Sequence, residues 1–516
     1  MIKELDISVS PDFIKDYDYL KKIASKKLKR DISEIFAVKI LRKSIDARKF
    51  PIFRLKTAVY INENPIDEQL IFTFKNITSN KKIIIIGSGP AGLFAALKAI
   101  ELGIKPMIIE RGKNVRDRRF DLKEIMQNGN VNPNSNYCFG EGGAGTYSDG
   151  KLYTRSNKRG DVKRILDLLI HHGANEEIRI NAHPHIGSNK LPKIIQNIRE
   201  TILNCRGEIH FNSLVTDLII EDKKIKGVIV NNKNELIGNA VILATGHSAR
   251  DIYQIFREKN LKVEAKPFAM GVRIEHPQVL IDSIQYNSKI RHENLPASNY
   301  NLTCQVKGKG VYSFCMCPGG IIIPASTANG ELVLNGMSVS RRNSPFANSG
   351  LVVEITEKDW AKYKNHKEYA GLKYQQELEE KIFEAGGGNQ VAPAQKATDF
   401  VKKRVSQNLG KSSYIPGITS LPLHEILPKN IAERLKTSLQ IFNKKMKGYL
   451  TEEAQILAVE SRTSSPLRIP RDKETLMHSE IEGLFPCGEG TGYAGGIVSA
   501  AIDGERCAEM SSKFLA

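Results

Sequence analysis

The alternation of apolar and polar positions divides the chain into stretches of different character. In the first eighty residues, "KELDISVS", "ISEIFAVKILRKSIDAR", "RLKTAVYINE" and "QLIFTFK" alternate as strands do, and the Lys-rich residues 11–28 carry apolar side chains at helical spacing. This pattern predicts a small N-terminal α/β module with its own sheet, ferredoxin-like in kind, over residues 1–80. "NITSNKK" reads as a linker. The segment "KKIIIIGSGPAGLFAALKAIELGIKPMIIERG" then runs as apolar strand, glycine turn, amphipathic helix and second apolar strand. The isoleucines at 83–86 suit a strand covered on both faces of a parallel sheet.

Residues 207–246 alternate strand-like runs with "EDKK" and "NNKN" turns, a β-meander leading back into a buried strand that ends in Ala244-Thr245-Gly246. Near the C-terminus, "IEGLFPCGEGTGYAGGIVSAAIDGERCAE" repeats the order of strand, glycine-dense turn and helix. The fold class expected is α/β: a Rossmann-like dinucleotide-binding domain with an inserted meander, over residues 81–250 and 481–516. Residues 251–480 form an α+β substrate domain. No internal repeat or low-complexity tract interrupts this plan.

Gly87, Gly89 and Gly92 form G-x-G-x-x-G between the first buried strand and its helix. The first glycine permits a tight turn, the second lets a pyrophosphate reach the backbone, and the third lets helix and strand pack closely. Phosphates then sit at the positive end of the helix. Glu110 ends the next strand, 23 residues after Gly87, where a carboxylate accepts hydrogen bonds from ribose hydroxyls. The stretch "YCFGEGGAGTYSDGKLY" places five glycines within eleven positions, from Gly140 to Gly150. Glycine is costly to order, so backbone amides here are expected to lie against a ligand, with Ser148 and Asp149 as further contacts. Gly495 and Gly496 open the last helix as a second anion-facing terminus.

Together "IIGSGPAGLFAA", "CFGEGGAGTYSDGKL", "HPHIG", "ILATGHSARD", "YSFCMCPGG", "ESRTSSPLRIPRD" and "GLFPCGEGTGYAGGI" resemble a bacterial family of FAD-dependent dehydrogenases. These are NAD(P)/FAD-dependent oxidoreductases of the glutathione-reductase-like two-dinucleotide-binding superfamily, distantly similar to geranylgeranyl reductases. The resemblance runs from about residue 80 to the C-terminus and is specific for fold and FAD, not for substrate. It implies that Gly87, Gly89, Pro90, Ala91 and Gly92 hold the pyrophosphate, with Glu110 and Arg111 at the adenosine end. It further implies that Gly142, Gly143, Ala144 and Gly145 run along the cofactor, and that Thr245 and Gly246 close over it. Gly488 and Glu489 would meet the pyrophosphate or ribityl chain, and Gly495, Gly496 and Ile497 would run under the flavin. Many relatives carry Asp at the position of Glu489.

Composition narrows the setting. Seven cysteines scattered over 516 residues argue against a disulfide framework, and the N-terminus lacks a charged-then-apolar leader. A cytoplasmic protein without a membrane span is expected. The net charge of +19 is dispersed and comes without a recognisable nucleic-acid module, so nucleic acid is not an expected partner.

The flavin supplies the redox chemistry and the protein positions the substrate. No second complete G-x-G-x-x-G falls between 250 and 480, so NADH or NADPH, as a transient donor, would visit the substrate's face, or another protein would deliver electrons. Candidate catalytic residues are Cys317 in "CMCPGG", His185 in "HPHIG" for proton transfer and Arg462 for an acidic substrate group or the flavin edge. Cys315 and Cys317 would point to the same side of an extended strand; simple burial, a redox pair and a metal site compete as readings, and no metal is expected. The function expected is an FAD-dependent oxidoreductase acting on a small molecule. The alternatives are reduction of a prenyl or lipid double bond, and an RNA-directed flavoprotein using the basic N-terminal module.

Overall fold

The computed structural model describes residues 1–65, 72–154 and 160–516. Strands Ile2–Val9, Ile35–Asp46 and Ile52–Ile61 form an antiparallel sheet with Ile52–Ile61 in the middle, and helix Tyr17–Leu28 covers one face. Ile7, Val9, Leu20, Ala24, Val38 and Leu55 form its core, which extends to Tyr286 and Leu295. Among the described residues the module has three strands and one α-helix, where a ferredoxin-like unit has four strands and two helices. The segment "QLIFTFK" lies partly outside the described residues, and its remainder, 72–75, is not a strand. Phe72 and Phe74 instead pack as isolated anchors against the next domain.

The centre of the molecule is a five-stranded parallel sheet. Its order is Leu484–Pro486, Val241–Leu243, Lys82–Ile86, Lys105–Ile109 and Glu208–His210. The isoleucines behave as a doubly covered strand must. Ile83 and Ile85 face a core shared with helices Pro90–Glu101 and Ile497–Leu515, and Ile84 and Ile86 face the opposite core. Three antiparallel strands, Val215–Glu221, Lys224–Val230 and Asn234–Ile237, contribute to that second core together with helix Arg250–Glu258. The two helices on the first face approach closely: a Cβ on Gly504 would lie 2.1 Å from the Ala91 carbonyl oxygen.

A seven-stranded mixed sheet occupies the region 268–460, with Phe268–Pro277 and Gln455–Glu460 among its inner strands. Strand Lys309–Cys317 lies near one edge, and the small ribbon Ile321–Pro324 with Leu334–Met337 follows it in sequence. The strands around Phe268–Pro277 are buried along almost their whole length because helices and loops cover both faces.

Candidate active site

Four parallel strands deliver their carboxyl ends to one place. Gly87, Glu110, Ala244-Thr245-Gly246 and Cys487 each follow such an end, and all border a single cavity of about 410 Å³. Ligands of open α/β sheets bind at this position. The far wall comes from Phe314 and Cys315 of the mixed sheet and from Ala325, Val333 and Leu334 of the small ribbon and its loop.

Glycines at and behind the cavity serve two purposes. Gly87 (φ +100°), which lines the cavity, and Gly92, which does not, are required by the fold, since a Cβ would meet the Ala244 oxygen at 2.6 Å and the Gly87 oxygen at 1.9 Å respectively. Gly246, Gly495 and Gly496 have no protein atom within 4 Å of a Cβ position, yet all three line the cavity. The side chains missing there leave space the protein does not fill. Helices Pro90–Glu101 and Ile497–Leu515 start at the cavity from Gly89 and Gly496 without a side-chain cap. Their first-turn amides therefore remain as donors for an anion. A large diphosphate-bearing cofactor fits this donor set.

The glycine-rich stretch divides similarly. Gly143, Ala144 and Gly145 line the cavity as a short 3-10 turn. Gly140 and Gly142 do not, and their amides are already used. Gly140 donates to Glu110 Oε1 at 3.0 Å and Gly142 to the Ser88 carbonyl at 2.9 Å. Gly143 lines the cavity, but its amide donates to the Gly140 carbonyl at 2.8 Å. These amides are therefore not free donors. The physical reason for glycine at 140 is close approach, since a Cβ there would meet Arg118 Cδ at 2.6 Å.

Arg118 is a residue that sequence reasoning missed. It is fully buried and donates to the carbonyls of Asn136, Tyr137, Glu141 and Gly143 at 2.8–3.0 Å, which holds the turn in shape. Glu110 is its acidic counterpart. Its carboxylate accepts from Ser88 N–H and Oγ, Gly112 N–H and Gly140 N–H at 2.7–3.0 Å, so it organises three loops as well as bordering the cavity. Arg111 also borders the cavity, ion-paired to Asp251 at 2.9 Å and stacked 4.1 Å from the Phe139 ring centre.

Glu489 lines the cavity beside His247, whose Nδ1 lies 3.6 Å from its Oε1. Desolvation, partly offset by Lys266, raises the Glu489 carboxyl to about 7. Burial, helped by the charge of Arg462, lowers His247 to about 4. Sequence reasoning named Glu489 but not His247, although "ATGHS" placed the histidine next to Gly246. Gly488 sits just behind the lining, with φ +77° and its amide donating to Asp503 at 2.8 Å.

The three expected catalytic residues are not brought together. Arg462 reaches the cavity, but its donors are committed to Glu379, Glu331 and Thr327 at 2.6–3.1 Å. His185 is absent from the cavity lining and bonds the Ser340 carbonyl at 3.1 Å. Asp149, which lines the cavity, is gripped by both arms of Arg342 at 3.1 and 2.5 Å. Cys317 is fully buried, and Cys315 is the cysteine of the pair that lines the cavity. The extended register that would set both cysteines on one side is interrupted, because the strand bulges between Phe314 and Cys317. Cys487, Asp503 and Cys507 bring ligand-type atoms within 4.8 Å of one another, but the Arg471 guanidinium already supplies the positive charge, pairing with Asp503 at 2.6 Å.

Residues 81–253 match the family model described as pyridine nucleotide-disulphide oxidoreductase. Residues 267–463 match FAD-dependent protein, C-terminal domain-like, and residues 1–60 match a domain of unknown function. An uncharacterized protein of Clostridium beijerinckii is 40% identical over 515 residues, covering 96% of each chain. The chain thus belongs to one family with that protein, a family of FAD-dependent oxidoreductases. Among solved structures, a flavin-dependent brominase is similar with 13% identity and a TM-score of 0.37, over 84% of this chain and 79% of that one. A geranylgeranyl bacteriochlorophyll reductase-like protein from Thermoplasma acidophilum has 12% identity and a TM-score of 0.35, over 84% and 79%. No helix among the described residues is long and apolar enough to cross a membrane.

Proposed function

We propose that the protein transfers hydride or electrons through FAD between a donor and a small-molecule substrate that enters the same cavity. One observation carries this reading: strand ends, uncapped helix starts and glycines with unused space converge on a single cavity. FAD bound there supplies the ring that takes up and gives up hydride or electrons.

The chain's own residues bind and orient. Gly87, Gly89, Pro90, Ala91 and Gly92 present the first helix terminus to the diphosphate, and Gly495, Gly496 and Ile497 present the second. Glu110 and Arg111 mark the ribose end, and Gly143, Ala144 and Gly145, shaped by Gly142 behind them, close with Thr245 and Gly246 over the length of the cofactor. Phe314, Ala325, Val333 and Leu334 make an apolar wall that keeps water out. Glu489, titrating near neutral pH, holds or releases a proton at its carboxylate beside a neutral His247. In this plan residues 81–250 and 481–516 form the cofactor unit and 251–480 the substrate unit, with 1–80 attached.

NADH or NADPH is the donor we favour, entering by the substrate's route. Anaerobic titration of the purified flavoprotein with each in turn tests this. Bleaching of the flavin spectrum at about one equivalent supports it, and an unchanged spectrum with both cofactors refutes a nicotinamide donor.

A further inference from the structure

The mixed sheet carries an irregularity that faces the cavity. Strand Lys309–Cys317 pairs regularly with Phe346–Ile355 as far as Phe314, then resumes with Cys317 opposite Asn348. At Cys315, inside the bulge, the backbone is left-handed with φ +45°. A non-glycine residue pays for that conformation in strain, which tends to persist where function uses it. Its effect here is to turn Cys315 out of the sheet and into the cavity wall, half-buried, while Cys317 stays fully buried.

One cation stands beside the half-buried sulfur and a second beside its backbone. Lys151 also lines the cavity, with Nζ 3.9 Å from Cys315 Sγ, and it donates to the Met316 carbonyl. Its nearest acidic neighbour in sequence, Asp149, is held by Arg342. Arg273, fully buried, donates to the Cys315 carbonyl at 2.9 Å and lies 3.6 Å from Cys317 Sγ.

We propose that Cys315 is a nucleophilic centre of the cavity: a thiolate poised by Lys151 and the Cys317 thiol, which attacks soft electrophiles that enter. The neighbouring Cys317 thiol, which donates to the Cys315 carbonyl at 3.3 Å, together with the charges of Lys151 and Arg273 and against burial, holds the Cys315 thiol well below the ordinary range. The proton stays with Cys317, whose thiol is pushed up. In the attack, the Sγ electron pair forms the new bond and the leaving group departs with the pair of the bond broken. With iodoacetamide the new bond is S–C, iodide leaves, and no proton is released from Cys315. The centre needs no bound cofactor, so it is testable independently of the flavin reading.

The test is iodoacetamide labelling of the native full-length protein, with bound flavin retained and after its removal, each cysteine's initial rate being followed by peptide mass spectrometry. Cys138, also half-buried at the cavity, and Cys304 serve as internal comparisons. Cys315 is expected to label first, its rate changing less than about threefold between pH 6.5 and 8.5. A thiol titrating near 8.5 changes about 50-fold over that interval. Lys151→Met should steepen the Cys315 profile at least threefold, and Lys151→Arg should leave it nearly flat. A Cys315 rate that rises about 50-fold in the unmodified sequence, or no Cys315 labelling in either form, overturns the proposal. An unchanged profile in Lys151→Met overturns the role of Lys151.

Discussion

Replacing Gly496 separates what the fold requires from what the cofactor requires. A Cβ at Gly496 has no protein atom within 4 Å, and its backbone is extended (φ 165°), so any residue adopts it without strain. Gly495 is equally open. Alanine at either site should leave the flavin-free protein as stable as before, or raise its stability by up to about 1 kcal/mol by restricting the unfolded chain. Leucine at Gly496 instead projects into the cavity over the start of helix Ile497–Leu515 and should displace the cofactor. A loss of about 100-fold in FAD affinity, roughly 2.7 kcal/mol, is the minimum expected. Gly92→Ala provides the contrast, because its Cβ would lie 1.9 Å from the Gly87 oxygen and must disrupt the turn whether or not cofactor is present. The assay pairs chemical denaturation of the flavin-stripped protein with the flavin-to-protein absorbance ratio after reconstitution. Gly496→Leu that folds normally and keeps full flavin content would refute this placement of the cofactor.

Arg118→Leu leaves the buried carbonyls of Asn136 and Tyr137 without a donor, while Thr146 still serves those of Glu141 and Gly143, at about 1–3 kcal/mol for each orphaned group; denaturation should show a loss of about 2 kcal/mol or more, and an unchanged midpoint would contradict its organising role. Arg462→Lys keeps a charge but not the fork that spans Glu379, Glu331 and Thr327, so a loss of about 3–5 kcal/mol is expected with or without flavin. Glu489 holds its proton up to about 7 when folded but only to about 4.3 when unfolded. The folded state binds more protons across that window, so stability falls as pH rises through it. Glu489→Gln should flatten this decline in thermal melts of the stripped protein between pH 5 and 8, and an identical slope would refute the assignment. Deleting residues 1–61 should leave flavin content intact, because none of them borders the cavity; loss of flavin would show a part played by this module in cofactor retention.

The cofactor half of the fold is legible because its signals are local. Four consecutive isoleucines, a glycine turn and an acid at the end of the next strand each occupy one short stretch, and parallel-sheet topology brings such strand ends together. The far wall is not legible in that way. Cys315 reaches the cavity through a left-handed non-glycine residue in a bulge, which alternation along the strand does not encode. Arg118 stands in "VRDRRFDL", where its neighbours are surface charges, and only the loop folded over it makes it a core residue. Arg462 looked available for a substrate until Glu331 and Glu379, 131 and 83 residues away, closed on it. The five glycines from 140 to 150 pointed to a ligand, yet Gly140 is needed for Arg118 rather than for a cofactor.

The most direct test of the account is to denature the purified protein and to identify and quantify what it releases. The account predicts FAD at about one equivalent per chain, recovered on reconstitution of the stripped protein and lost in Gly496→Leu. Release of no flavin, with no uptake when FAD is supplied, would contradict it.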